Sequence, residues 1–198
     1  MLELVFVIVI IGIISAMVIP RMDRDSLFEA ADQTLKHIKY TQHLAMTQDV
    51  YDDTLANWFR RRWEIQFFTC GGYAVHSDTN MNNSANAARN ESAVDPQTGK
   101  FLYTTATCTM PAANTDYERV NLAGYFGITD IGFSAGCAGN QQISFDTLGR
   151  PYITNSVNGV LKNNCEITLT SSTGSETIRI HPETGYACIL NAAQTACL

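Results

Sequence analysis

Basic charge is in short supply in this chain. Across 198 residues, 13 lysines and arginines stand against 19 acids, for a net charge of −6 at pH 7. A general nucleic-acid surface needs the opposite balance. The motifs of common catalytic machines are missing too. There is no G-x-S-x-G elbow, no H-E-x-x-H pair and no Walker-type phosphate loop. No enzyme is therefore legible. No C-x-x-C occurs, and no cysteines and histidines cluster at the short spacing of a zinc module. No cofactor is expected.

What is present is an even set of cysteines: Cys70, Cys108, Cys137, Cys165, Cys188 and Cys197. An even count spread through the C-terminal part points to disulfides formed in an oxidising compartment, rather than to buried free thiols. Six cysteines admit many connectivities, and sequence does not choose among them. The pairing adopted as an expectation is Cys188–Cys197, closing a short terminal loop, with Cys70–Cys108 and Cys137–Cys165.

Hydrophobicity is concentrated at the start. Leu4 to Ile19 carry no charge, and with Met1, Leu2 and Glu3 they approach the roughly 20 residues that span a bilayer as a helix. Arg21 and Arg24 follow, where lipid head groups or the cytoplasm would take them. A signal peptide fits poorly. Its order is basic residues, apolar core and small-residue cleavage site, whereas here an acid leads and no A-x-A follows Pro20. Glu3 is the anomaly. An acid opening an apolar helix is costly and usually functional. The plain alternative places it at an interface, favoured by the positive end of the helix dipole.

The run Met1-Leu2-Glu3-Leu4-Val5-Phe6-Val7-Ile8-Val9-Ile10-Ile11-Gly12-Ile13-Ile14 resembles the N-terminus of type IV pilins and type II secretion pseudopilins. In that family a glutamate opens the apolar helix, a glycine lies within it and a proline follows, as Glu3, Gly12 and Pro20 do here. By the family pattern, two further mature residues and a leader lie upstream of Met1. The resemblance implies a subunit that polymerises through Glu3, Leu4, Val5, Phe6, Ile8, Gly12 and Pro20. Its implied partners are identical or homologous pilin subunits, the inner membrane before assembly, an assembly platform and prepilin peptidase. A host surface or DNA would be the target of the fibre. In a low-dielectric filament core, the Glu3 carboxylate would pair with a neighbour's amino terminus and set axial register. Gly12 and Pro20 are the weak points where the helix would unwind or kink.

From Asp25 the sequence turns amphipathic. Leu27, Ala31, Thr34, Leu35, Ile38, Gln42 and Ala45 recur at helical spacing, giving an apolar stripe to about Thr47 with Asp25 or Ser26 as cap. His37 and His43 read as solvated helix-face residues. Next comes Trp58-Phe59-Arg60-Arg61-Arg62-Trp63. The arginines suit the start of a strand, with an acidic partner such as DNA or a glycan as the alternative. Residues 77–100 read as a long exposed loop with a turn at Asp95–Gly99, and its oxygen-rich side chains raise calcium as a minor possibility. Short strands are expected at Trp63–Phe67, Tyr73–His76, Phe101–Thr105, Ile131–Phe133, Gln142–Phe145, Glu166–Leu169 and Thr177–Ile180, separated by glycine and proline turns.

The stretch Ile143-Ser144-Phe145-Asp146-Thr147-Leu148-Gly149-Arg150-Pro151, with Ile178-Arg179-Ile180-His181-Pro182-Glu183-Thr184-Gly185-Tyr186, is similar to the C-terminal strand pattern of GspH/FimT-type pseudopilins. The expected fold is therefore α+β and type IV pilin-like. An apolar helix at 1–24 and an amphipathic helix at 25–48 would lie on an antiparallel β-sheet head at 49–198. The expected function is a pilus filament subunit for adhesion, motility or DNA uptake. A minor GspH-like pseudopilin and a non-polymerising membrane-anchored binding protein are the alternatives.

Overall fold

The amphipathic stripe decides where the first helix lies. In the computed structural model, which describes residues 2–81, 88–109, 116–153 and 158–198, and their side chains except at 2–3, 14–25 and 135, α1 runs Leu2–Thr47. Leu27, Ala31, Leu35, Ile38 and Ala45 are all buried on its inner stripe. Each large aliphatic side chain so buried stabilises by roughly 1.5–3 kcal/mol relative to exposure. Thr34 and Thr41 share the stripe by donating their hydroxyls to the Ala30 and His37 carbonyls, at 2.8 and 2.7 Å. Ser26 caps nothing, because helical backbone precedes it. Its hydroxyl donates instead to the Phe126 carbonyl at 3.2 Å, tying α1 to the short α2 (Leu122–Phe126).

Two antiparallel sheets share α1 as cover. The first comprises β1 (Trp63–Phe68), β2 (Gly72–Ser77), β4 (Gln142–Phe145) and β5 (Pro151–Tyr152), in the order β2-β1-β4-β5. The second comprises β3 (Ile128–Ala135), β6 (Cys165–Ser171), β7 (Gly174–Ile180) and β8 (Ala187–Ile189), in the order β3-β6-β7-β8. Alternation sets the faces of β6. Cys165, Ile167 and Leu169 point inward, while Glu166 and Thr168 are half-exposed. Glu166 stands opposite Arg179 and accepts from its guanidinium at 2.8 Å. The Phe67 ring of β1 meets Phe133 of β3 edge-on at 5.4 Å, joining the two sheets.

The expected pilin-type architecture, a long half-apolar helix on one antiparallel sheet, is corrected on both counts. Among the described residues no helix is long and apolar enough to cross a membrane; the stretch 26–47 is amphipathic. The head divides because strands this short cover little area singly, and two small sheets can both bury their inner faces under one helix.

Other expectations fare unevenly. β1, β2, β3, β4, β6 and β7 lie where short strands were expected, to within a few residues. Phe101–Thr105 is no strand; Phe101 alone makes bridges, to Val94 and Asp116. The loop 77–100 is not simply exposed. Asp78, Glu91, Ser92, Ala93 and Asp95 are buried, and Ser92 bridges His76. Its segment 82–87 lies outside the described residues, as does Met1. The three disulfides pair as expected: Cys70–Cys108, Cys137–Cys165 and Cys188–Cys197.

Candidate functional site

Of the residues that the resemblance implies in assembly, Leu4, Val5, Phe6, Ile8 and Gly12 lie on one uncovered surface. Leu4, Val5, Phe6 and Ile8 belong to a helical stretch whose large apolar side chains, from Leu4 to Ile13, are 42–69% exposed. Apart from its chain neighbours and the helix's own backbone, no atom of the described residues lies within 4 Å of where a Cβ on Gly12 would stand. The exposure runs all around the helix rather than along one stripe. A helix apolar all round is stable only when enclosed on every side, and the head encloses none of this one. The Glu3 and Pro20 side chains lie outside the described residues.

At the other end of α1, the two turns of the C-terminal pattern converge on one side chain. Gln42 Nε2 donates to the Gly149 carbonyl and to the Thr184 carbonyl, both at 2.9 Å. Gly149 and Gly185 hold left-handed backbone, at φ 78° and 64°. A Cβ on Gly185 would collide with the Gly149 carbonyl oxygen. The Asp146 carboxylate organises the first turn. It accepts from the backbone N–H of Leu148 and Arg150, from Arg150 Nε at 2.8 Å and from the Tyr152 hydroxyl at 3.2 Å. Gln42 was legible as a position on the helical stripe, though its partners were not.

Beside that turn is a cleft of about 490 Å³ bordered by Tyr51, Trp58, Arg62, Leu148 and Arg150. Of the arginine run, Arg62 lines it. Arg62 is buried, with its guanidinium 3.9 Å from the Tyr152 ring centroid and 5.0 Å from that of Trp58. Such stacking holds a cation against aromatic faces as their solvation is lost. Arg60 and Arg61 are half-buried.

Sequence reasoning missed the buried polar groups of the core. His37, expected in solvent, is buried and shares a 2.6 Å hydrogen bond with the Tyr73 hydroxyl. It lies three residues after Thr34 and four before Thr41, both buried, and that spacing was the available signal. Burial lowers its pKa to about 4. Glu64 and His76 face each other across the β1–β2 register, both buried, with Glu64 Oε1 3.2 Å from His76 Nε2. Burial raises Glu64 to about 8 and lowers His76 to about 4. Burial thus disfavours the charged form of each group, and His76 Nε2 also shares a 3.2 Å hydrogen bond with Gln66 Oε1.

These shifts set opposing pH dependences. The Glu64 contribution is complete below its ordinary value of 4.5 and is lost as pH rises towards about 8. The contributions of His37 and His76 are complete above their ordinary 6.5 and are lost as pH falls towards about 4. The part of stability carried by these groups is expected to peak near about pH 6. Glu64→Gln should flatten the fall in melting temperature between about pH 6 and 8; parallel wild-type and variant profiles would remove Glu64 from this account.

No protein-family model, curated protein or solved structure matches this chain.

Proposed function

We propose that this chain is a structural subunit of a type IV pilus-like filament, a pilin or pseudopilin, joined to identical or homologous copies through its N-terminal helix. The observation that carries this reading is the uncovered apolar surface from Leu4 to Ile13. An apolar helix exposed on all sides calls for an enclosure of like helices, and a helical array of copies supplies one from a single sequence. Glu3, at the head of that stretch, fixes register by pairing with a neighbouring amino terminus inside the bundle. Before assembly the inner membrane takes up the same apolar stretch, and prepilin peptidase and an assembly platform act on it there. The disulfide-stapled head belongs outside the cytoplasm, where such bonds persist. The fibre serves adhesion, motility or DNA uptake.

A second reading, a minor GspH-like subunit of a type II secretion system, is favoured by the close docking of the Gly149 and Gly185 turns on Gln42. It gives those two turns of the pseudopilin-like pattern a physical reason to occur together. Both readings share the assembly surface. Phe6→Asp is expected to abolish polymer in a sedimentation assay of expressing cells, while the melting temperature of the head changes by less than about 1 °C. Polymer that pellets undiminished with Phe6→Asp would remove this helix from the assembly contact.

A further inference from the structure

The face of α1 beside its buried stripe borders a second cavity. Asp32, Gln33, Lys36, His37 and Tyr40 fall at helical spacings that put them along one side of the helix. Opposite stand Asp95 and Tyr117, and the space between is about 300 Å³. Two contacts hold the helix to that wall. The Tyr40 hydroxyl donates to the Val94 carbonyl at 3.0 Å, and Arg119 pairs with Glu29 at 2.6 Å.

Inside this cavity a charge and a donor are both left over. Asp95 is 6% exposed and forms no ion pair among the described residues. Its Oδ2 accepts from the Thr98 N–H at 2.9 Å and from the Thr98 hydroxyl at 2.6 Å. These bonds fix the carboxylate without neutralising it, and a buried charge is ordinarily paired. The neighbouring acids are already matched, Asp32 to Lys36 at 2.6 Å and Glu29 to Arg119. Burial is the main influence on the pKa of His37, Tyr40 and Tyr117, and the Asp95 charge acts on all three as well. Gln33 adds the unmet donor. It is 7% exposed, and its Nε2 is buried with no hydrogen-bond partner among the described residues. The amide is felt by the Tyr73 hydroxyl, but Nε2 does not reach hydrogen-bond geometry with it. An acceptor brought into the cavity is what this donor lacks.

We propose that this cavity binds a small organic ammonium with hydroxyl groups beside it, the chemistry of an amino sugar. The ammonium pairs with Asp95 and lies against the Tyr40 and Tyr117 rings, whose faces attract a cation. A neighbouring hydroxyl oxygen accepts from Gln33 Nε2. The volume is at the lower limit of small-molecule sites, which suits one sugar residue. A calcium ion is the poorer occupant, because it takes about six to eight oxygen ligands, and the carboxylate left without a cation here is bordered by aromatic rings. The cavity is apart from the 4–13 stretch, so its test is independent of assembly.

The test titrates the full chain in detergent with glucosamine at pH 6, where the sugar is an ammonium, and follows the amide NMR spectrum. Wild type is expected to saturate with a roughly millimolar dissociation constant, with shifts centred on residues 33–40 and 95–98. N-Acetylglucosamine keeps the ring and loses the charge, and should bind at least roughly tenfold more weakly. Glucosamine should lose as much on Asp95→Asn, a variant that keeps an oxygen to accept from Thr98. A glucosamine trimer separates the two sources of this chemistry: tighter binding than the monomer points to the end of a glycan, and binding no tighter points to the free sugar. Absence of saturable shifts in wild type would overturn the proposal, as would equal binding of the uncharged sugar or equal binding by Asp95→Asn.

Discussion

Gly185→Ala is expected to destabilise the protein by about 3–4 kcal/mol. Two causes add. At φ 64° an L side chain costs roughly 1–2 kcal/mol of backbone strain. The new methyl would also meet the Gly149 carbonyl, Gln42 Nε2 at 2.5 Å and Phe145 at 3.2 Å. It drives the two turns apart and breaks the Gln42 hydrogen bonds to both, each worth about 1 kcal/mol. Gly99 provides the matched control. Its φ is 70°, yet nothing lies within 4 Å of its Cβ position, so Gly99→Ala should cost the strain alone, about 1–2 kcal/mol. Urea unfolding of both variants reads the difference. Equal losses would mean that close approach of the two turns contributes nothing.

Removing the Cys137–Cys165 bond, as Cys137→Ala with Cys165→Ala, is expected to cost about 3.5 kcal/mol. The bond closes a separation of 28 residues, and loop-closure entropy of the unfolded chain grows with that length. The same estimate for Cys188–Cys197, which closes 9 residues, is about 2.6 kcal/mol. Position widens the gap. Cys137 and Cys165 are wholly buried where β3 gives way to the start of β6, so their loss also loosens the second sheet. Cys197 lies at the rim, in a loop with its own hydrogen bonds. Thermal unfolding without reductant should rank the two double variants in that order, and the reverse ranking would show that burial at this staple carries no stability.

Local pattern was readable wherever one face of an element is buried. The helical stripe from Leu27 to Ala45 and the strand at Trp63–Phe67 were visible for that reason, because period and burial coincide. β5 and β8 are two and three residues long, too short for any period to register, and both strands rest on pairing from neighbours. The division into two sheets was hidden because it depends on which strands meet across the chain. The junction at Gln42 was half legible: glycine and proline marked the turns at 149–151 and 183–185, but nothing in the sequence shows two turns touching. Buried Glu64, His76 and His37 were misread or passed over because a charged residue type defaults to the surface until its partner is known.

The central claim, that this chain builds a filament through the stretch beginning at Leu4, is tested most directly by mass spectrometry of filaments sheared from the surface of cells that express it. The account predicts that peptides of this chain co-purify with the sheared filaments and vanish from that fraction when Phe6→Asp replaces the wild type. Filaments that lack this chain, with all of it recovered as unassembled protein in the membrane and soluble fractions, would contradict it.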